Sequence, residues 1–360
     1  MEKRLILNSK IFKLSRICAL FIALLAIPAV SFSQEKAKSG DDKPFDPKPA
    51  IFEHIGDAHS WHVGLPFVQP FAIPLPVILF SDKGLEVFSS ANLHEDAVYH
   101  GKNNYILVKD KIKITDEAGN VDATKKLYDF SITRNVASMW MGMILLIIIF
   151  GRVSSSYKKR QGKAPKGLQS FMEPLVVFVR DDVAIPNIGV KHAKYMTLLL
   201  TLFFFILINN LLGLVPFFPG GFNLTGNIAV TFSLAFIVLL VINFSGNKYY
   251  WKHIFTPEIP LWLYIIMVPV EIIGIISKPF ALMIRLFANI TAGHIIGLSL
   301  ISLIFIFKSL AVSPASVLFV VFMDVLELLV AFLQAYIFTM LTALFIGMAI
   351  QEHHGEQHEI

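Results

Sequence analysis

The segment Leu261–Phe307 is apolar throughout apart from five ionisable residues, Tyr264, Glu271, Lys278, Arg285 and His294. As a helix at 1.5 Å per residue it would reach about 70 Å, whereas the hydrocarbon core of a bilayer is about 30 Å thick. Turn chemistry is limited to Pro269, Pro279 and single glycines, so the run predicts one kinked, strongly tilted membrane helix. Arg285 lies near its middle with apolar residues on both sides. An arginine at the centre of a lipid-embedded helix costs roughly 3 to 15 kcal/mol, and a leucine would insert better. At the helical repeat, Glu271, Lys278, Arg285 and Asn289 fall within about 40° of one another, one polar stripe on an otherwise greasy rod. A buried ion-pair network between helices could produce such a stripe. An ion path explains it better, because intramembrane charge is functional by default.

A second over-long run, Ala315–Ile350, follows the Ser313–Pro314 break and carries Asp324, Glu327 and Gln334. Glu327 and Gln334 share a helix face. The two long helices are expected to form a membrane hairpin. Three shorter apolar segments precede them, at about 136–153, 195–215 and 228–244. With 55% hydrophobic residues and a mean hydropathy of +0.65, the chain is too apolar for a soluble protein of its size. The fold class is therefore an all-α polytopic membrane protein of about five segments, with a small exported N-terminal domain. Between the first two segments, Leu168, Phe171, Met172, Leu175, Val176 and Val179 keep a helical spacing that suggests a helix along the membrane surface.

The net charge of +5 is localised. Arg152, Lys158, Lys159, Arg160, Lys163 and Lys166 mark a cytoplasmic side after the first segment, as do Lys248, Lys252 and His253 after the third. The loop NNLLGLVPFFPGGFNLTGN carries no charge, as expected of the outer side. No basic run is interleaved with aromatics, so the lipid bilayer rather than nucleic acid is the expected partner.

Residues 1–33 have the parts of a secretory signal: a basic region ending at Arg16, an apolar core Ile17–Val30, and small residues Ser31 and Ser33. An uncleaved first membrane helix is the other reading. Cleavage would remove Cys18 and leave no cysteine, hence no disulfide framework. Residues 34–133 read as an exported, partly disordered region, in which the proline- and charge-rich stretch 34–49 is a tether. PVILFSDKGLEVF and NNYILVKDKIKITDEAGN alternate as short strands. His54, His59, His62, His94 and His100 match no metal-ligand spacing and are expected at the surface. The membrane domain spans 134–352, and a His/Glu tail, 353–360, ends the chain in the cytoplasm.

Two motifs, SKPFALMIRLFANITAGH (Ser277–His294) and LELLVAFLQAYIFTMLT (Leu326–Thr342), with NLLGLVP (Asn210–Pro216) in support, resemble subunit a of the rotary F-type ATP synthase. The likeness covers about Arg134 to Glu352. It implies that Arg285 faces the carboxylate on a rotating ring of c subunits. It implies too that Asn289, His294, Glu327 and Gln334 line an outer aqueous half-channel, and Glu271 an inner one. Many bacterial relatives hold an acid at the position of His294 and a histidine at that of Glu327; the exchanged pair resembles mitochondrial forms. A carboxylate usual in the NLLGLVP region is Gly213 here. The resemblance further implies b-type peripheral stalk subunits, a catalytic head reached through the stalks, and a bacterial inner (plasma) membrane with the N-terminus exported. No G-x-x-x-x-G-K-[ST] sequence is present, so no nucleotide chemistry and no cofactor are expected of this chain. The alternative is a secondary cation/proton antiporter, which should show an inverted repeat. A purely structural scaffold would leave Arg285 unexplained.

Overall fold

Turn residues at Asp82–Gly84 fold two alternating runs back on each other, and the N-terminal sheets are organised around that hairpin. The structure, a computed structural model, describes residues 46–63, 71–93, 97–108, 110–116, 121–122, 125–215, 220–256, 260–307 and 312–351. The expected signal segment, residues 34–45 of the tether and the tail 353–360 lie outside the described residues. Helix α1 (Lys48–Ile55) comes first, with Pro47 at its N-cap and Pro49 in its first turn. Prolines that suggested a tether thus open a helix, where a missing N–H removes no hydrogen bond. Strands β1 (Ser60–Val63), β2 (Phe71–Pro74), β3 (Pro76–Ser81), β4 (Gly84–Ser89), β5 (Tyr99–His100), β6 (Asn104–Val108), β7 (Lys111–Thr115) and β8 (Leu127–Asp129) follow. They pair antiparallel as β1-β2, β4-β3-β8 and β5-β6-β7. Both expected hairpins are present. Gly84, at φ +94°, closes the first in a region that side chains avoid. Val77 and Leu79 of β3 point inward onto Tyr105, Ile112 and Ile114.

One histidine departs from expectation. His59 is only 6% exposed, and its Nε2 lies 3.1 Å from Asp129 Oδ2. Burial pushes the Asp129 carboxyl up, but hydrogen bonds from His59 and Ser131 outweigh it and hold it below the ordinary range. His100 is exposed, beside Asn104.

Asp57 joins this region to the membrane bundle. Its carboxylate accepts from the backbone N–H of Asn135 and from the Thr133 hydroxyl, both at 3.1 Å, at the start of helix α2 (Arg134–Lys159). A carboxylate there satisfies an orphan donor and complements the helix dipole. The buried Arg134 donates through Nη2 to the Gly56 carbonyl. Trp61 donates to the Gly220 carbonyl at 3.4 Å and meets Phe222 edge-on, and α1 packs against the long helix described below.

Helix α3 (Leu168–Phe178) continues through a π turn (Val179–Ala184), the short α4 (Ile185–Ile188) and a 3-10 turn (Gly189–Lys191) into α5 (His192–Leu214). The expected surface helix is only partly that. Leu168 and Phe171 are exposed, but Met172, Leu175, Val176 and Val179 pack into the bundle core. Helices α6 (Ile228–Ser245), α7 (Lys248–Phe255), α8 (Leu261–Phe307) and α9 (Ser313–Ile350) complete the chain. Among the described residues five helical runs are long and apolar enough to cross a membrane: Arg134–Lys159, Leu168–Leu214, Ile228–Ser245, Leu263–Phe307 and Ser313–Ile350. The bundle is built around α5, which buries Leu199, Phe203, Phe204 and Ile206 against α2 and α9. The 47-residue α8 is unbroken despite Pro269 and Pro279 and packs on α6 and α9. Asn247, between α6 and α7, ties that link to the end of α9 by donating its side-chain N–H to the Ile350 carbonyl at 2.7 Å.

Candidate functional site

Helices α8 and α9 run antiparallel, and two contacts fix their register: Lys278 with Phe345 near one end, and Gly293 with Glu327 near the other. At the second end glycine decides how close the helices come. A Cβ at Gly293 would sit 2.7 Å from Glu327 Oε1, so the carboxylate lies directly against α8. His294, the next residue, is half-buried. The end of α5 approaches it from the other side: a Cβ at Gly213 would be 3.9 Å from His294 Nε2. Hydroxyls and amides within a turn of this pair on α8 and α9 tie the two helices to α5 and the loop after it. Thr225 donates to Asn210 Oδ1 at 2.6 Å, Asn210 to the Ala331 carbonyl at 3.4 Å, and Thr291 to the Gly226 carbonyl at 3.3 Å. Gln334, two turns along α9 from Glu327, is also buried. Glu327 and His294 thus share one polar end of the α8–α9 hairpin, in a setting where apolar packing alone would favour leucine, and by the same register Gln334 lies level with about residue 287, close to Arg285.

The other end holds Glu271, half-buried, and Lys278, whose Nζ lies 5.6 Å from the Phe345 ring centre. Lys278 and Tyr250 line one small cavity with Ile242, Pro279, Phe345 and Met348. Tyr250 lies 3.4 Å from Asn243 Oδ1, and burial together with the nearby charge of Glu271 pushes its hydroxyl pKa up.

Arg285 lies between the two ends. Its flanking residues Leu282, Met283 and Leu286 are buried, whereas Arg285 and Asn289 are exposed on the opposite face of α8. Among the described residues, Glu271, Lys278, Arg285 and Asn289 form no ion pair with one another. The expected stripe therefore exists as a face, not as a salt-bridge network. On the same face Ala281, Ile284 and Ala288 are exposed too.

Sequence reasoning passed over Asn210, Thr225, Thr291 and Tyr250. Asn210 opens the NLLGLVP motif and could have been singled out there; its bond to Thr225 joins residues on opposite sides of a loop. Nothing in the sequence points to Thr225.

Fold and site together define a multi-pass α-helical membrane protein with ionisable groups at membrane depth. The family model described as ATP synthase A chain matches residues 136–347, and the chain belongs to that family. A second family model, described only as a domain of unknown function, matches residues 50–130, the region of the small sheets. The ATP synthase subunit a of Chloroherpeton thalassium is 50% identical over 237 residues, covering 64% of this chain and 70% of that one. ATP synthase subunit a 2 of Prosthecochloris aestuarii is 43% identical over 317 residues, covering 81% and 96% respectively. The subunit a of Myxococcus xanthus is 43% identical over 241 residues, covering 64% and 77%.

Proposed function

We propose that this chain is the proton-conducting stator subunit of an F-type ATP synthase. In this reading it provides two offset half-channels that load and unload carboxylates on a ring of c subunits, and Arg285 keeps them apart. The observation that carries the reading is the setting of Arg285: exposed at the middle of an unbroken membrane helix, on an apolar face, with no ion pair among the described residues. A cation so placed is costly unless a partner from outside the chain supplies the counter-charge. A carboxylate passing on the ring meets that need.

The ends of α8 supply the rest. Glu271 and Arg285 are about 21 Å apart along the helix and Arg285 and His294 about 14 Å, at 1.5 Å per residue. Protons arrive from outside by way of Asn289, His294, Glu327 and Gln334, whose imidazole and carboxyl groups can take up and pass on a proton. They leave towards the cytoplasm past Glu271. A fixed guanidinium favours the ionised form of a carboxylate within about 4–6 Å, and it cannot itself shed a proton. Arg285 therefore strips the arriving ring site and blocks a direct proton leak. Each charge moved through 100 mV releases about 2.3 kcal/mol, which drives the rotor in small steps. The cation distribution favours an exported N-terminal region and a cytoplasmic C-terminus in a bacterial inner membrane. The b-type stalk subunits would hold this stator against the catalytic head. A cation/proton antiporter would place its site at broken helices near the midplane, and α8 runs unbroken through Arg285.

The test is ATP-driven pumping and passive proton conductance on the same vesicles, normalised to assembled complex. Arg285→Ala is expected to abolish pumping and to raise the conductance of vesicles stripped of the catalytic head. Arg285→Lys should keep part of the barrier without coupled rotation. Normal pumping per assembled Arg285→Ala complex would end this reading.

A further inference from the structure

We propose that Asn223 is a further residue of the outer proton path, holding the water that delivers protons to His294. The proposal rests on the half-channel reading above and extends it to the loop between α5 and α6. It starts from Gly213, where the family resemblance leads one to expect a carboxylate. A Cβ at Gly213 would stand 2.8 Å from the backbone oxygen of Phe222, which cannot swing aside as a side chain would. The loop therefore fills the space that a side chain at 213 would need. The same Cβ position is 3.9 Å from His294 Nε2, so the loop backbone and His294 meet on the side of Gly213 from which a side chain would project. Polar access to His294 on this side falls to the loop.

Within the loop most polar groups are committed. The Thr225 hydroxyl donates to Asn210, and the Gly226 carbonyl accepts from Thr291. Phe222 and Leu224 are fully buried in one apolar cluster with Trp61, whose indole N–H is used on the Gly220 carbonyl. Asn223 stands between them. It is 2% exposed, and neither Oδ1 nor Nδ2 has a hydrogen-bond partner. Nor is the side chain loosely placed, because a Cβ at Gly226 would overlap its Oδ1. A buried amide that makes no hydrogen bond is strongly unfavourable, and native proteins satisfy such groups with ordered water. An amide both donates and accepts, so water bound there can have one neighbour on each side. A proton then passes by hopping: the water gives one proton to the His294 side and takes one from the water beyond it. One O–H bond breaks for each bond formed, and no charge stays on Asn223. The apolar ring of Trp61, Phe222 and Leu224 keeps other ions out of this passage.

The test uses the whole complex in vesicles. Asn223→Leu keeps the branched shape of the side chain and removes both polar atoms. ATP-driven pumping per assembled complex is expected to fall about tenfold, the weight of one hydrogen-bonded step. Passive proton conductance of head-stripped vesicles should fall with it, while ATP hydrolysis by the detached head and the amount of assembled complex hold. Asn223→Val carries the same expectation should Leu prevent assembly. Glu327→Gln, measured alongside, separates the two ideas. Normal pumping by Glu327→Gln would remove the half-channel reading itself. Impaired pumping there with wild-type pumping and conductance by the Asn223 variants would overturn the role of Asn223 alone. Reduced assembly with normal pumping in the surviving complexes would also overturn it, by making Asn223 structural.

Discussion

Replacing Gly213 sets two physical effects against each other, and the structure predicts which wins. Gly213 lies in the last turn of α5. Putting alanine for glycine in a helix stabilises it by up to about 1 kcal/mol, because the unfolded chain then has less freedom to lose. Against this stands the 2.8 Å approach to the Phe222 carbonyl oxygen, well inside contact distance and backbone rather than side chain. Overpacking of this kind costs about 1–3 kcal/mol, so on balance Gly213→Ala should be destabilising, by up to about 2 kcal/mol. Gly213→Asp should be worse, since it adds a carboxylate that the closed loop leaves little room to solvate. Gly151 of α2 is the internal control: a Cβ there would meet nothing within 4 Å, so Gly151→Ala should show the helical gain alone. The assay is the temperature at which this chain is lost from the purified complex, with pumping per assembled complex measured in parallel. Gly213→Ala raising that temperature as much as Gly151→Ala would refute the account of the loop. So would Gly213→Asp assembling and pumping at the wild-type level.

Two further outcomes are expected. A reporter fused after Gly162 should behave as cytoplasmic and one after Gly221 as exported, from the cations at Arg152–Lys166 and the uncharged second loop; the same location for both would contradict the five-span topology. The Asp129 carboxyl is held below its ordinary range, so its contribution to the N-terminal region is complete above an ordinary carboxylate pKa of about 3.9 and is lost as pH falls through the lower folded value. Protease resistance of residues 46–130 in the intact complex should accordingly decline only in strong acid and lose that step in Asp129→Asn; a decline centred between pH 5 and 7 would point to another group.

The features legible in the sequence were those with a long or regular signature. The five apolar runs, the two over-long helices and both hairpins each repeat one pattern over many residues, and each is present. What escaped depends on single contacts. Pro47 and Pro49 were equally compatible with a tether and with the first turn of a helix, and only the packing of α1 on α8 selects the helix. His59 looked like the other histidines expected at the surface, yet β8 brings Asp129 to it across the whole domain. The polar stripe of α8 was readable because a helix has a fixed period. That Glu327 lies against Gly293, and Gly213 beside His294, was readable from family motifs only as shared function, since contact between helices α5, α8 and α9 depends on how they cross. Asn223 left no trace at all: an asparagine in a loop is the commonest of turn residues, and only its burial without partners makes it notable.

The uneven burial of the bundle bears on what the Arg285 face must meet. Helix α5 and the second half of α9 are packed in the core, whereas α8 and the first half of α9 are largely exposed. The chain thus keeps its packing for α5 and the end of α9 and presents the rest of the long hairpin outward. Lipid would suit Ala281, Ile284 and Ala288 on that face, but it would not suit Arg285, Lys278 and Asn289. A tightly interlocked partner would serve the charge but would resist sliding, because close-packed surfaces engage in discrete registers. A rotor needs a face that is mostly smooth and apolar, with one strong, specific charge contact for each passing subunit. On the proposed reading, an exposed guanidinium backed by Leu282 and Leu286, on a helix too long to stand upright in the membrane, is that contact, while the polar groups at either end stay within the stator. On the same reading the exposure of Arg285 in this chain is the state that its working surface requires, and the counter-charge belongs to whatever moves past it.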